Sequence, residues 1–247
     1  MSWLLDLGNT RAKWARFTGG RRADAVAAVA HGEPGFLAQL VESMAPASGE
    51  GRVWLASVAD PALTEAVQRG LAGAGHRCER VRVRSEALGV RIAYADPTRL
   101  GVDRYLALLA AHARDDGPWL LVSVGSALTV DLLARDGTHV GGLIAPSPGH
   151  MRQALAKRFP ALAVDGGDLG EWAADTGDAL ASGALAAAAG LVERAHRLAR
   201  ARLDVAPTVL VSGGGAAPVR AALPFASEFV QAPVLDGLAR LAAMEPG

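Results

Sequence analysis

The chain has little of several things, and each shortage removes a class of explanation. It holds a single cysteine, Cys78, in 247 residues, so an internal disulfide cannot form and a reducing compartment is expected. Lysine is almost missing: Lys13 and Lys157 stand among a basic set otherwise made of arginine. Formal charge sums to zero, which gives no reason to expect a nucleic-acid groove or attraction to an anionic membrane. No apolar run is long enough to span a bilayer, and the alanine-rich stretch from Ala179 to Ala189 is interrupted by Ser182 and Gly183. Asp6 breaks the first apolar run, so no signal peptide is expected and the chain reads as cytoplasmic. There is no Gly-Lys dipeptide, which excludes a Walker-type P-loop, and no G-x-G-x-x-G after the first strand, which excludes the dinucleotide fingerprint. The six histidines show no paired metal-ligand spacing.

What remains is a globular composition, 51% apolar and 20% charged, in a chain long enough for one large domain or two small ones. Residues 3–7 and 12–17 read as strands about a turn at Gly8-Asn9, with a short strand at 24–30. A helix fits Pro34 to Ser43, a buried strand 51–58, and a helix capped by Asp60 runs to about residue 75. Residues 77–83 alternate like a strand wet on one face, and 101–114 have helical spacing, which puts Asp103 and Arg104 at a helix start. After Asp115–Pro118 the pattern begins again: strands at 119–124 and 127–134 about a Gly turn, a strand from His139 into a Gly/Pro loop, and a helix at 151–159. A long helix follows at 175–203 with Asp175 or Thr176 near its cap, then a strand, triple glycine and helix over 208–223, and a last helix at 234–244. Strands alternating with helices define an α/β protein, and a hairpin opening each half implies mixed sheets. The expectation is two similar domains, 1–116 and 117–247, facing a cleft.

Four stretches could carry chemistry. In "DLGNT", Asp6 to Thr10, the glycine lets backbone approach an anion, Asn9 and Thr10 offer donors, and Asp6 could hold Mg²⁺. "GSALT", Gly125 to Thr129, repeats the device, with Ser123 where the first copy has Asp6. Either one alone is also what an ordinary hairpin looks like. "VSGGG", Val211 to Gly215, exposes backbone N–H groups where a helix begins. In "GVDR", Gly101 to Arg104, Asp103 could take a proton and Arg104 could grip an anion, although in isolation a helix cap with a surface ion pair explains it as well. Cys78 lies in an Arg-rich strand, where an inert, half-buried thiol is expected, and His139 reads as surface or structural.

The order Asp-x-Gly-Asn-Thr…Lys, Gly-x-Asp-Arg, Gly-Ser-Ala-x-Thr-x-Asp and Gly-Gly-x-Ile resembles the type III pantothenate kinases, of the actin-like and ribonuclease H-like ATPase fold that sugar kinases share. The resemblance runs through nearly the whole chain. It implies ATP-dependent phosphorylation of the 4′-hydroxyl of pantothenate, the first step towards coenzyme A, by a homodimer. Carried onto this sequence, it implies that Asp6, Leu7, Gly8, Asn9, Thr10, Arg11, Ala12 and Lys13 form the first ATP-phosphate segment. It makes Asp103 the general base, with Tyr94, Gly101, Val102, Asp103 and Arg104 holding pantothenate. Ser126 stands where the family has an ATP-contacting Thr, Asp131 matches the second motif's later Asp, and Gly213, Gly214 and Gly215 would lie near the adenosine. Thr176 matches a Thr that reaches pantothenate across the dimer. Ser123 replaces the family's ligand for a monovalent cation, K⁺ or NH₄⁺, so activation by such a cation is expected to be weak or absent. Two rivals share these motifs: a non-catalytic, nucleotide-binding regulatory relative and a sugar kinase of the same superfamily.

Overall fold

The computed structural model describes residues 2–23, 25–45, 50–114, 117–159, 162 and 166–244. In chain order the strands and helices are β1 (Ser2–Leu7), β2 (Arg11–Thr18), β3 (Arg21–Arg22), β4 (Ala27–Ala30), α1 (Phe36–Ser43), β5 (Gly51–Ser57), α2 (Pro61–Gly73), β6 (His76–Arg80), β7 (Glu86–Ala87), β8 (Val90–Arg91) and α3 (Val102–His112). Then come β9 (Trp119–Val124), β10 (Ala127–Leu133), β11 (His139–Pro146), α4 (Pro148–Arg158), α5 (Thr176–Leu203), β12 (Thr208–Ser212), α6 (Ala216–Ala221), β13 (Glu228–Phe229) and α7 (Pro233–Met244). Two compact units result, Met1–Arg114 with Ala232–Gly247, and Asp115–Gln231.

The first unit is built on a sheet of order β3-β2-β1-β5-β6, with β4 also on β2. The opening hairpin pairs Asp6 with Lys13 and Leu7 with Ala12, and β5 then joins β1 in parallel. Trp3, Leu5 and Leu7 point into a core filled from α1 by Phe36 and Leu40 and from α2 by Val67 and Leu71. Strand alternation sends Leu4 and Asp6 to the other face, where α7 packs on β1 and α3 on β5. Both faces are covered, which is why β1 reads as a nearly unbroken apolar run with one carboxylate in it.

The second unit repeats the plan. Its sheet has order β11-β10-β9-β12-β13, with β10 antiparallel to β9 and β12 parallel to it. Leu120, Val122 and Val124 pack against Ala188, Val192, Ala195 and Ala199 of α5. Small residues on α5 let a long helix lie close to the sheet, and the alanine-rich stretch is thereby explained as a packing face. In both units an antiparallel hairpin is followed by parallel crossover strands, the repeated arrangement that the paired Gly turns imply.

The division of the chain differs from the sequence-based one. The break falls at Arg114, beside Asp115 and Asp116, which lie outside the described residues, but α7 belongs to the first unit rather than to the second half. Gly237 lets α7 press onto α3, since a Cβ there would run into the Leu106 carbonyl. Asp236 of the same helix takes an ion pair from Arg22 at 2.6 Å. Sequence periodicity also does not reveal the β7–β8 hairpin, which turns on Leu88 and Gly89 at φ 50° and 81°, nor the short β3 and β13.

Candidate active site

The first Gly turn follows from local chain chemistry. The Gly8 N–H donates to the Arg11 carbonyl at 3.1 Å and closes the hairpin, leaving Asn9, Thr10 and Arg11 exposed at its tip. Leu7 and Ala12 are buried in the core, so what they can offer a ligand is backbone. Asp6 and Lys13 stand directly opposite one another at the base of the turn. Burial drives the Asp6 pKa up from 3.8 to about 7; Lys13 pulls it back, and the Asp103 carboxylate pushes it further up. The structure therefore brings together three of the expected residues, Asp6, Lys13 and Asp103, from a hairpin and from a helix far along the chain.

The start of α3 explains the Gly-x-Asp-Arg pattern physically. Gly101 is the N-cap and has no side chain to cap with. Instead Asp103 folds back: its Oδ1 accepts the Arg104 N–H at 2.8 Å and lies where a Cβ on residue 101 would come within 2.5 Å of it. A carboxylate at a helix N-terminus is favoured by the unpaired N–H groups there. Arg104 is not a surface residue. It is 7% exposed, its Nη1 donates to the Tyr94 hydroxyl at 3.2 Å, and its guanidinium carbon lies 6.0 Å from the Tyr94 ring centre. Thus the Arg104 side chain meets Tyr94 while the Asp103 carboxylate sits over the helix start, and Val102 is turned into the core. The segment between β8 and α3 reaches that geometry through a 3₁₀ turn at Pro97–Arg99, capped by Asp96 on the Thr98 N–H at 3.0 Å.

In the second unit the structure joins two stretches that are far apart in sequence. The Gly125 N–H closes its turn on the Ala127 carbonyl at 2.9 Å, and Ser123 pairs with Ser212 in parallel register. Immediately after Ser212 the glycines press on the same strand end. Gly213 has φ 98°, and a Cβ there would meet the Val124 carbonyl at 2.3 Å; the Gly215 N–H donates to that carbonyl at 3.0 Å. Gly213 and Gly215 are thus required for close packing on the Val124 strand end, while Gly214 between them is exposed, with open space where a Cβ would stand.

Thr176 is exposed at the first position of α5, behind the cap Asp175, whose Oδ1 accepts the Gly177 N–H at 2.7 Å. Asp131 and His139 are buried together, with His139 Nε2 3.0 Å from Asp131 Oδ1, so His139 is structural. Cys78 is half-buried, and burial raises its thiol to about 11, which keeps it protonated and inert. Two residues that the sequence does not flag brace the turns. His31 donates its backbone N–H to the Thr10 carbonyl at 3.0 Å, and the Ser147 hydroxyl reaches the Ser126 carbonyl at 3.3 Å. No spacing rule could have found them, because each depends on which strand lies beside the turn. Among the described residues no helix is long and apolar enough to cross a membrane.

Two units of this topology, each opening on a Gly-turned hairpin, define the actin-like fold of sugar kinases and related ATPases. Solved structures agree: the chain resembles a protein of Campylobacter jejuni assigned to the Baf family of transcriptional activators (TM-score 0.60, 18% identity, 97% of this chain and 96% of that one). It also resembles a protein of Listeria monocytogenes assigned as an N-acetylmannosamine kinase (TM-score 0.51, 12% identity, 99% of both chains). At sequence level the type III pantothenate kinase profile matches residues 3–198. The type III pantothenate kinase of Stenotrophomonas maltophilia strain K279a is 48% identical over 99% of this chain and 98% of its own length. That of Xanthomonas euvesicatoria pv. vesicatoria strain 85-10 is 49% identical over 96% and 95%. The chain belongs to the type III pantothenate kinase family, and is an enzyme of that class.

Proposed function

We propose that this kinase transfers the γ-phosphoryl group of ATP to the 4′-hydroxyl of pantothenate with Asp103 as general base. In this reading Asp103 accepts the hydroxyl proton as the oxygen bonds to phosphorus and ADP leaves. Lys13 and the amides of the Gly8 turn hold the phosphate oxygens, and Ser126 with Gly213 and Gly214 receives the rest of the nucleotide. Tyr94 and Arg104 hold pantothenate, Arg104 by its carboxylate or hydroxyls. Phosphoryl transfer calls for positioning and charge neutralisation rather than covalent help, and these groups provide both.

The residues fit Mg²⁺ in one particular way. Among the described residues no cluster of three or more His, Cys, Asp or Glu side chains could hold a metal ion. In this reading Asp6, at the base of the Gly8 turn, would be its protein ligand, with phosphate oxygens and water completing the shell, as is usual for this ion. Bound there, Mg²⁺ would neutralise charge on the phosphates.

The observation that carries the reading is the Asp103 carboxylate, held over Gly101 at the start of α3 and close enough to Asp6 to act on its charge. The test is ADP release by wild type and Asp103→Asn with ATP and Mg²⁺, with and without pantothenate, and with sugars. Pantothenate-dependent turnover in the wild type, lost by at least about 10²-fold in the variant while ATP still binds, is the expected result. Near-normal turnover in Asp103→Asn would remove it as base. ATP binding without turnover on any substrate would favour the regulatory relative, and turnover on a sugar the sugar kinase.

The proposed assembly is a cytoplasmic homodimer. Its support is a set of large apolar side chains exposed on the second unit, Trp172 at 95%, Ile144 at 65% and Phe159 at 53%. Thr176 lies only a few residues from Trp172. Sedimentation of the purified protein at micromolar concentration is expected to give twice the chain mass.

A further inference from the structure

We infer that His31 is a positioning residue for the Gly8 turn, fixing the shape in which that turn receives the phosphates of ATP. The inference rests on the proposal above that the turn binds ATP. His31 follows the last residue of β4, whose Ala30 pairs with Arg11. Its backbone N–H donates to the Thr10 carbonyl at 3.0 Å. Its ring hydrogen-bonds the backbone of Asn9. The ring's Nε2 is buried without a partner, so Nδ1 is the nitrogen that donates to Asn9. Behind it the ring tilts on Phe36, with centres 4.8 Å apart at 59°, and Phe36 is part of the core. One side chain therefore links an exposed turn to the packed interior.

The consequence for the turn is geometric. A peptide plane carries its C=O and the next N–H in opposite directions. With the Asn9 carbonyl drawn to His31, the direction of the Thr10 N–H is set as well. A phosphate site made of backbone donors depends on such aim, because donors that must reorient on binding lose much of their electrostatic advantage. Burial lowers the pKa of the His31 ring more than the Asn9 hydrogen bond raises it, so the ring is neutral at pH 7 and carries one N–H. That single proton sits on Nδ1.

Asparagine places an amide N–H close to where histidine has Nδ1, and phenylalanine keeps the packing on Phe36 while removing the donor. The experiment compares wild type, His31→Asn and His31→Phe by steady-state kinetics with each substrate varied in turn, by thermal unfolding, and by amide hydrogen exchange of the wild type with and without MgATP. The expected result is a KM for ATP raised about three- to tenfold in His31→Phe, the scale of one hydrogen bond. The KM for pantothenate should stay within about twofold, and His31→Asn should recover most of the loss. Protection of residues 8–12 by MgATP tests the turn itself. If MgATP protects them but His31→Phe leaves the ATP KM unchanged, or His31→Asn is as impaired as His31→Phe, the role of His31 is wrong and the turn assignment stands. If MgATP gives no protection there, the turn assignment fails and the role of His31 falls with it.

Discussion

Gly101 and Asp103 share one small volume: the Asp103 Oδ1 occupies the space within 2.5 Å of where a Cβ on residue 101 would be. The glycine is thus not needed for an unusual backbone, since its φ is −57°. It is needed so that a carboxylate can fold back over the helix start. Gly101→Ala should push the carboxylate aside, lowering kcat by about tenfold or more, because general bases act only within hydrogen-bond reach. Thermal stability should be nearly unchanged, since alanine accepts that φ. A kcat within twofold of wild type, measured beside an unaltered Tm, would separate the glycine from the chemistry.

Arg104 and Tyr94 give a second prediction. Arg104→Lys keeps the charge but cannot reproduce a guanidinium that reaches the Tyr94 hydroxyl while lying across its ring. The pantothenate KM should rise about tenfold or more with the ATP KM little altered, and Tm should fall because Arg104 is buried. Tyr94→Phe removes only the acceptor and should cost less in both measurements.

Asp6 predicts an opposition between stability and activity. Its carboxyl ionises near 3.8 in the unfolded chain and at about 7 in the folded, ligand-free protein. Between those values folding takes up a proton, so the stability this group contributes is complete below 3.8 and is lost as pH rises through 7. The whole shift amounts to at most about 4 kcal/mol, reduced by the part-exposure of the side chain. Asp6→Asn cannot ionise. Without MgATP it should therefore melt several degrees above wild type at pH 8, with the two converging towards pH 5, and it should have lost kinase activity. Equal melting temperatures at pH 8 would contradict this.

Ser123 bears on the monovalent cation. A hydroxyl is a neutral ligand and a carboxylate a charged one, so on the reading that Ser123 stands at a monovalent-cation position, K⁺ or NH₄⁺ at constant ionic strength should raise the rate less than about twofold. Ser123→Asp should introduce a clear dependence on K⁺. A steep K⁺ activation of the wild type would show that other groups hold the ion.

The sequence alone determined what depends on neighbours in the chain. Both Gly turns, the helix start at Asp103, the Asp175 cap of α5 and the repetition of one hairpin device are local, set by backbone sterics and by residues a few positions apart. The motifs in order were enough to indicate the family. Tertiary structure decided the rest, because it depends on which distant segments share a surface. Asp6 comes within reach of the Asp103 charge only because strand alternation turns it to the face carrying α3 and α7. Arg104 stands in the chain like a surface cap residue, yet packing buries it on Tyr94. The last helix follows the second half in sequence but joins the first unit, since Gly237 allows its backbone to close on α3. His31 braces the first turn because β4 happens to run beside it, a long-range pairing that leaves no periodic trace in the residues themselves.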